Sequence, residues 1–251
     1  DNTIVVITSD HGMPFPRAKA SLYDDGSQVP LAIRWPKGIR EPGRVVGEPV
    51  NLSDLAPTFL KAAGLDVPSE MTAESLLAFF GTGQTNARKA AYIAMERHDG
   101  CRAGGKGYPC RAIRTKDHLL IYNFEPTRWP AGSPDARVCA RSIPFGEVDR
   151  SPTKTFMMEH SLRDDVAKLA GLAFGLRPRI ELYDINADPH QMNNLAGLPA
   201  WREIETSLKA DLFDYLRKTN DPRVVGGPVL WDYYPYYGAI STKGWKVDPR
   251  P

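Results

Sequence analysis

Apolar and polar positions alternate between two kinds of spacing along the chain, and the change of spacing marks its elements. Residues 3–8 (Thr-Ile-Val-Val-Ile-Thr) form a short β-branched run with no polar interruption, the pattern of a strand buried on both faces in a parallel sheet. A polar loop follows over 9–26, then a second strand at 29–35 and a turn region at 36–43. Residues 53–64 predict a helix, with Ser53 or Asp54 as its N-cap, Pro57 near its first turn and Gly64 as its stop. Beyond a linker at 85–90, strands are expected at 91–95, 112–115, 118–123 and 181–185; the second and third of these form a hairpin across Lys116-Asp117. Ile204, Leu208, Leu212 and Leu216 recur every four residues, which predicts an amphipathic helix over 203–218. The stretch 125–155 is Pro-rich and irregular, and the tail 221–251 is rich in Pro, Gly, Tyr and Trp. Strand–loop–strand–helix order at the start and an antiparallel hairpin later give an α/β layer followed by a smaller α+β unit. The division is expected at 106/107.

Composition adds exclusions. With 32 basic and 30 acidic residues among 251, the net charge of +2 carries no block of one sign, so nucleic-acid and membrane-surface roles lack electrostatic support. No apolar run approaches the ~20 residues that cross a bilayer. Three cysteines fit neither a disulfide scaffold nor a zinc spacing; Cys101 and Cys110 are close enough in sequence to pair, and free thiols are equally compatible. The first strand stands without earlier neighbours, so the chain is expected to begin inside a domain whose N-terminal half, and any signal segment, lie elsewhere.

The sharpest chemical feature is Thr8-Ser9-Asp10-His11-Gly12, directly after the first strand. Ligands of open α/β sheets bind beyond the carboxyl ends of strands. A carboxylate beside an imidazole holds a divalent cation there, and a glycine lets backbone pass close by. A turn-capping Asp10 beside a surface His11 accounts for the same five residues. Lys19-Ala20-Ser21-Leu22-Tyr23-Asp24-Asp25-Gly26 comes next, ahead of Val29-Pro30-Leu31, and its lysine suits a clamp for a tetrahedral oxyanion. Glu96-Arg97-His98-Asp99 follows the strand at 91–95 and is either a substrate loop or a solvated charged turn.

These motifs together resemble the C-terminal metal and sulfate motif of the type I sulfatases, in the alkaline-phosphatase-like superfamily. The resemblance runs on through Asp54-Leu55-Ala56-Pro57-Thr58, through Glu181-Leu182-Tyr183-Asp184-Ile185, and through Asp188-Pro189 with Asn193-Asn194-Leu195-Ala196. Within the family, Gly12-Met13-Pro14-Phe15-Pro16 and Tyr108-Pro109-Cys110-Arg111 are most similar to heparan N-sulfatase-like (sulfamidase) members. The resemblance implies a metal-dependent hydrolase of sulfate esters or sulfamates on an N-sulfoglucosamine-like glycan, in a periplasmic, secreted or lysosomal setting. Asp10 and His11 are then metal ligands, Lys19 the catalytic sulfate clamp, and Arg97, His98 and Arg111 the substrate-binding set.

Two departures matter. His11 stands where many members have Asn, which leaves calcium, the expected ion, beside manganese or zinc. The family's nucleophile is a formylglycine made within Cys/Ser-x-Pro-x-Arg, and neither the three cysteines nor Ser151-Pro152-Thr153 lies in such a sequence. The formylglycine is therefore expected in the missing N-terminal part, and this chain alone is expected to be inactive. The rival readings are a phosphodiesterase or phosphonate hydrolase of the same superfamily, and a non-catalytic sulfated-glycan-binding protein.

Overall fold

The structure, a computed structural model, describes residues 2–81 and 88–234. The expected linker at 85–90 and the tail beyond 234 fall largely outside the described residues. Among these residues the strands form two sheets. β1 (Val5–Thr8) pairs antiparallel with β2 (Leu31–Arg34), Val5 opposite Arg34 and Thr8 opposite Leu31. The strand expected at 3–8 thus forms, and among the described residues its neighbour is antiparallel. β2 is its one partner, and Ile7 is 69% exposed.

The larger sheet has four strands in sequence order: β3 (Ala90–Met95), β4 (Cys110–Thr115), β5 (His118–Asn123) and β6 (Ile180–Asp184), all antiparallel. A division at 106/107 would separate β3 from β4, its hydrogen-bonded neighbour. Successive side chains on a strand point to opposite faces, and both faces of this sheet are covered. On one face Ile113, Leu120 and Leu182 meet Leu208, Leu212 and Leu216 of a helix over Arg202–Lys218, and Tyr92 stacks on Tyr215 with ring centroids 3.7 Å apart. On the other, Cys110, Ala112, Leu119, Ile121 and Tyr183 enclose Leu22 and Tyr23 from the loop after β1. Double burial explains why these strands read as nearly continuous apolar runs.

The helices are α1 (Asp24–Ser27), α2 (Leu55–Ala62), α3 (Pro152–Glu159), α4 (Asp164–Phe174), α5 (Arg202–Lys218) and α6 (Pro222–Val225). The helix expected at 53–64 is preceded by a 3-10 turn at Leu52–Asp54 that Asn51 caps; Asp54 stands at the N-cap position of α2, as expected, without a side-chain cap bond. The Asp54 carboxylate accepts from the Asn51 amide at 2.6 Å, and Gly64 ends the helix at φ +73°. Neither α3 nor α4 was expected. α4 buries Val166, Ala170, Ala173 and Phe174, and Phe145 stacks on Phe174 at 4.7 Å, so the stretch around 145 is tied to this helix.

Candidate functional site: a half-open cleft beyond the strand ends

The loop after β1 is fixed by two glycines that admit no side chain. Gly12 donates its amide to the Gly26 carbonyl at 3.1 Å, and a Cβ on Gly12 would stand 1.8 Å from the Asp25 carbonyl oxygen. A Cβ on Gly26 would meet the Ala18 carbonyl at 2.1 Å. The two glycines thus close the loop on itself, where any larger residue collides with backbone. A buried carboxylate anchors the loop to the large sheet. Glu181 of β6 accepts from Tyr23 Oη at 2.6 Å, Tyr183 Oη at 2.8 Å and Asn123 Nδ2 at 2.8 Å. Arg114 of β4 grips Asp24 through two nitrogens, at 2.9 and 2.8 Å, and the Arg17 guanidinium lies 3.7 Å over the Tyr23 ring.

This scaffold holds a cleft of about 1800 Å³, lined among others by Asp10, His11, Lys19, Arg97, His98 and Arg114. Asp10 and His11 are side by side. His11 Nδ1 donates to the Gly12 carbonyl at 2.7 Å, which leaves the Nε2 lone pair facing Asp10 Oδ2 at 3.6 Å. Two acceptor atoms so close, with the ring tautomer set by a backbone carbonyl, suit neighbouring ligands of one cation. Among the described residues no group of three or more His, Cys, Asp and Glu side chains converges on such a point. Asp10 and His11 therefore offer two acceptor atoms at this point.

Lys19 and His98 face the same cleft, each backed by a carboxylate that the sequence did not single out. Lys19 Nζ pairs with Asp149 Oδ2 at 2.9 Å, and His98 Nδ1 donates to Glu147 Oε2 at 2.7 Å. Glu147 is buried, and its other oxygen accepts from Arg102 Nη1 at 2.7 Å. Burial alone would raise the Glu147 pKa; Arg102 and His98 outweigh it and hold the carboxyl below its usual range. The hydrogen bond to Glu147 raises the His98 pKa, against burial and the repulsion of Lys19. Arg17 and Ala20, on either side of Lys19, adopt left-handed φ of 61° and 60°, and backbone of this kind persists only where its surroundings impose it.

Arg97 reaches the cleft, with its guanidinium bonded to the Gly105 and Tyr234 carbonyls at 3.3 and 2.5 Å. Arg111 does not, which corrects its expected place beside His98. Strand alternation puts it on the α5 face of β4 with Ile113, at 3% exposure, held by Glu96 and Asp221 at 2.6 Å each. Its charge is spent inside the protein. Cys101, Cys110 and Cys139 are buried free thiols, so Cys101 and Cys110 do not pair. The only hint of Glu147 and Asp149 in the sequence is the acidic–apolar–acidic run 147–149, too short to stand out in an irregular stretch.

The family profile described as N-sulphoglucosamine sulphohydrolase, C-terminal, matches residues 12–130. An ulvan-active sulfatase of Formosa agariphila is 25% identical over 233 residues, which are 92% of this chain and 41% of that protein. Human N-sulphoglucosamine sulphohydrolase is 27% identical over 242 residues, covering 89% of this chain and 43% of that protein. A solved structure described as a complex with its substrate D-glucosamine-2-N,6-O-disulfate superposes with a TM-score of 0.56 at 25% identity, over 90% of this chain and 36% of the other. The chain thus spans about two fifths of the length of these relatives. The chain is thus similar to sulfatases, and the profile it matches is that of the C-terminal part of N-sulphoglucosamine sulphohydrolase.

Proposed function

We propose that the chain forms the C-terminal side of a metal-dependent sulfatase site that acts on a sulfated glycan of the N-sulfoglucosamine class. The observation that carries this reading is the convergence in one cleft of Asp10 with His11 and of Lys19 with His98. In this reading Asp10 and His11 hold one divalent cation, calcium by family resemblance, and the cation supplies charge to polarise the sulfuryl group. Lys19 covers sulfuryl oxygens that the cation leaves free; its compact charge, held by Asp149, needs little reorganisation as negative charge develops. His98 and Arg97 read the sugar around the sulfate. Arg111 has no part in binding; it supports the strand end from which the Arg97–His98 loop springs.

The chain contains no Cys/Ser-x-Pro-x-Arg sequence, so the nucleophile belongs to an N-terminal part of a longer protein, and this chain alone releases no sulfate. The test uses that longer protein, assayed with calcium on D-glucosamine N-sulfate, an aryl sulfate and a phosphonate monoester. Sulfate release from the sugar that is lost on chelation and restored by calcium is the expected result. Turnover of the phosphonate in preference to both sulfates, or binding of the sulfated sugar without turnover, would overturn the reading.

A further inference from the structure

Behind the two cations of the cleft stands a segment, Gly146-Glu147-Val148-Asp149, that the proposed chemistry does not use directly. Its acidic residues face the cleft cations while Val148 is buried in the cluster around α4. The segment is pinned on every side. The buried Lys154 donates Nζ to the carbonyls of Phe145 and Val148, at 2.8 and 2.7 Å, and so clamps the backbone on both sides of Glu147. The Glu147 amide donates to the Ala131 carbonyl at 3.0 Å. Arg102, which takes the second Glu147 oxygen, is itself fixed by the carbonyls of Trp129 and Pro130 at 2.7 and 2.8 Å. A carboxylate this firmly placed dictates the orientation of the ring that bonds it.

We infer that Glu147 is a positioning residue: it binds the Nδ1–H side of His98 and turns Nε2 toward the cleft, so that His98 and Lys19 together receive one anionic group of a sugar. The same segment serves both cations, His98 through Glu147 and Lys19 through Asp149. An imidazole without such a partner exchanges tautomers and rotates, whereas one bonded at Nδ1 to a buried carboxylate presents Nε2 in a single direction, a donor to an anion when the ring is protonated. The charged groups that act on His98 are Glu147 and Asp99, which favour its protonated form, and Lys19, which opposes it. The first of these dominates, so His98 keeps its proton to higher pH than an ordinary histidine. The sign follows: anion binding through His98, and the stability that its ion pair contributes, are complete below about pH 6.5 and fade as pH rises through the raised midpoint.

This inference takes only the class of ligand from the function proposed above, and its test separates the two. The imidazole nitrogens of the 251-residue chain are followed by NMR from pH 5 to 9 in the natural protein and in Glu147→Gln and Glu147→Asp. The expected result is a His98 locked as the Nδ1–H form with a raised midpoint, a lower midpoint with mixed tautomers in Glu147→Gln, and partial return in Glu147→Asp. An unchanged midpoint and tautomer in Glu147→Gln would overturn the inference. Because the Gln variant leaves the buried Arg102 short of a carboxylate, His98→Gln is a second probe that keeps the Glu147–Arg102 pair. With D-glucosamine N-sulfate as ligand, affinity of the natural chain should fall about tenfold between pH 6 and 9, the size of one charge-assisted hydrogen bond. The fall should vanish in His98→Gln, and its persistence there would also overturn the inference. A His98 that titrates as expected while the longer protein binds no sulfated sugar at any pH would uphold the hold of Glu147 on the ring but contradict both the proposed function and the anion-receiving role of His98.

Discussion

At the scale of single residues, partners decide roles more than residue types do. Arg97 and Arg111 look equivalent in the sequence, two guanidiniums near one Gly-rich loop. One strand position separates cleft from interior: β4 sends Cys110, Ala112 and Arg114 to the face of the site loop, and Arg111 with Ile113 to the face of α5. There Arg111 balances Glu96 and Asp221, and Arg223 binds Glu96 as well, at 2.5 Å. Removing the central cation would leave Glu96 with Arg223 alone and take from Asp221 its ion pair, both carboxylates being largely buried, and breaking a buried ion pair costs about 3–5 kcal/mol. Arg111→Ala should therefore lower the unfolding free energy in urea by that order, while Arg97→Ala, at the open cleft, should shift it little. Comparable small losses in both would return Arg111 to the substrate-binding role expected for it. That Asp10, His11, Lys19 and His98 belong to one cleft was legible because each lies just past a strand end or within a compact motif. Glu147, Asp149 and Arg102 were not, since only folding brings residues 102 and 147 to the two sides of one carboxylate pair.

At the scale of elements, periodicity was a good guide where burial is one-sided or complete and a poor one elsewhere. The four-residue steps of α5 read correctly because Leu208, Leu212 and Leu216 form a single apolar stripe against β4, β5 and β6. Leu212 lies at the centre of that stripe and is fully buried. Leu212→Ala should cost about 2–5 kcal/mol, the loss of buried side chain plus a cavity, measurable as a lower midpoint in urea with an unchanged slope. A loss below ~1 kcal/mol would mean that α5 is not a structural wall of the sheet. β1 shows the opposite case. Its β-branched run signals a strand but cannot say how many neighbours it has or which way they run, and the structure supplies one antiparallel neighbour. α4 escaped notice for another reason: its buried positions include Ala170 and Ala173, whose small side chains give periodicity a weak signal.

At the scale of the whole molecule, the chain brings Asp10, His11, Lys19 and His98 to one cleft, using the large sheet as the base. Glu181 of β6, part of a motif that marks the family resemblance, does this work from inside by binding Tyr23 and so fixing the loop that carries Lys19. Fold class and the likeness to sulfatases were legible because several short motifs stand in order along most of the chain, and the matches to sulfatases agree. The back of the site was not legible, because it is built from the irregular stretch before α3. The central claim is that Lys19 serves the reacting sulfate and not the fold. Its pair with Asp149 is partly exposed, and pairs of that kind contribute about 0–1 kcal/mol. A preorganised cation at a developing oxyanion is worth far more, about 10²–10³ in kcat. The decisive measurement is kcat for sulfate release together with the melting temperature of Lys19→Ala in the longer protein. A fall in kcat of about 10²–10³ with the melting temperature nearly unchanged is the predicted result; an unchanged kcat, or a protein that loses activity only because it melts, would contradict the account.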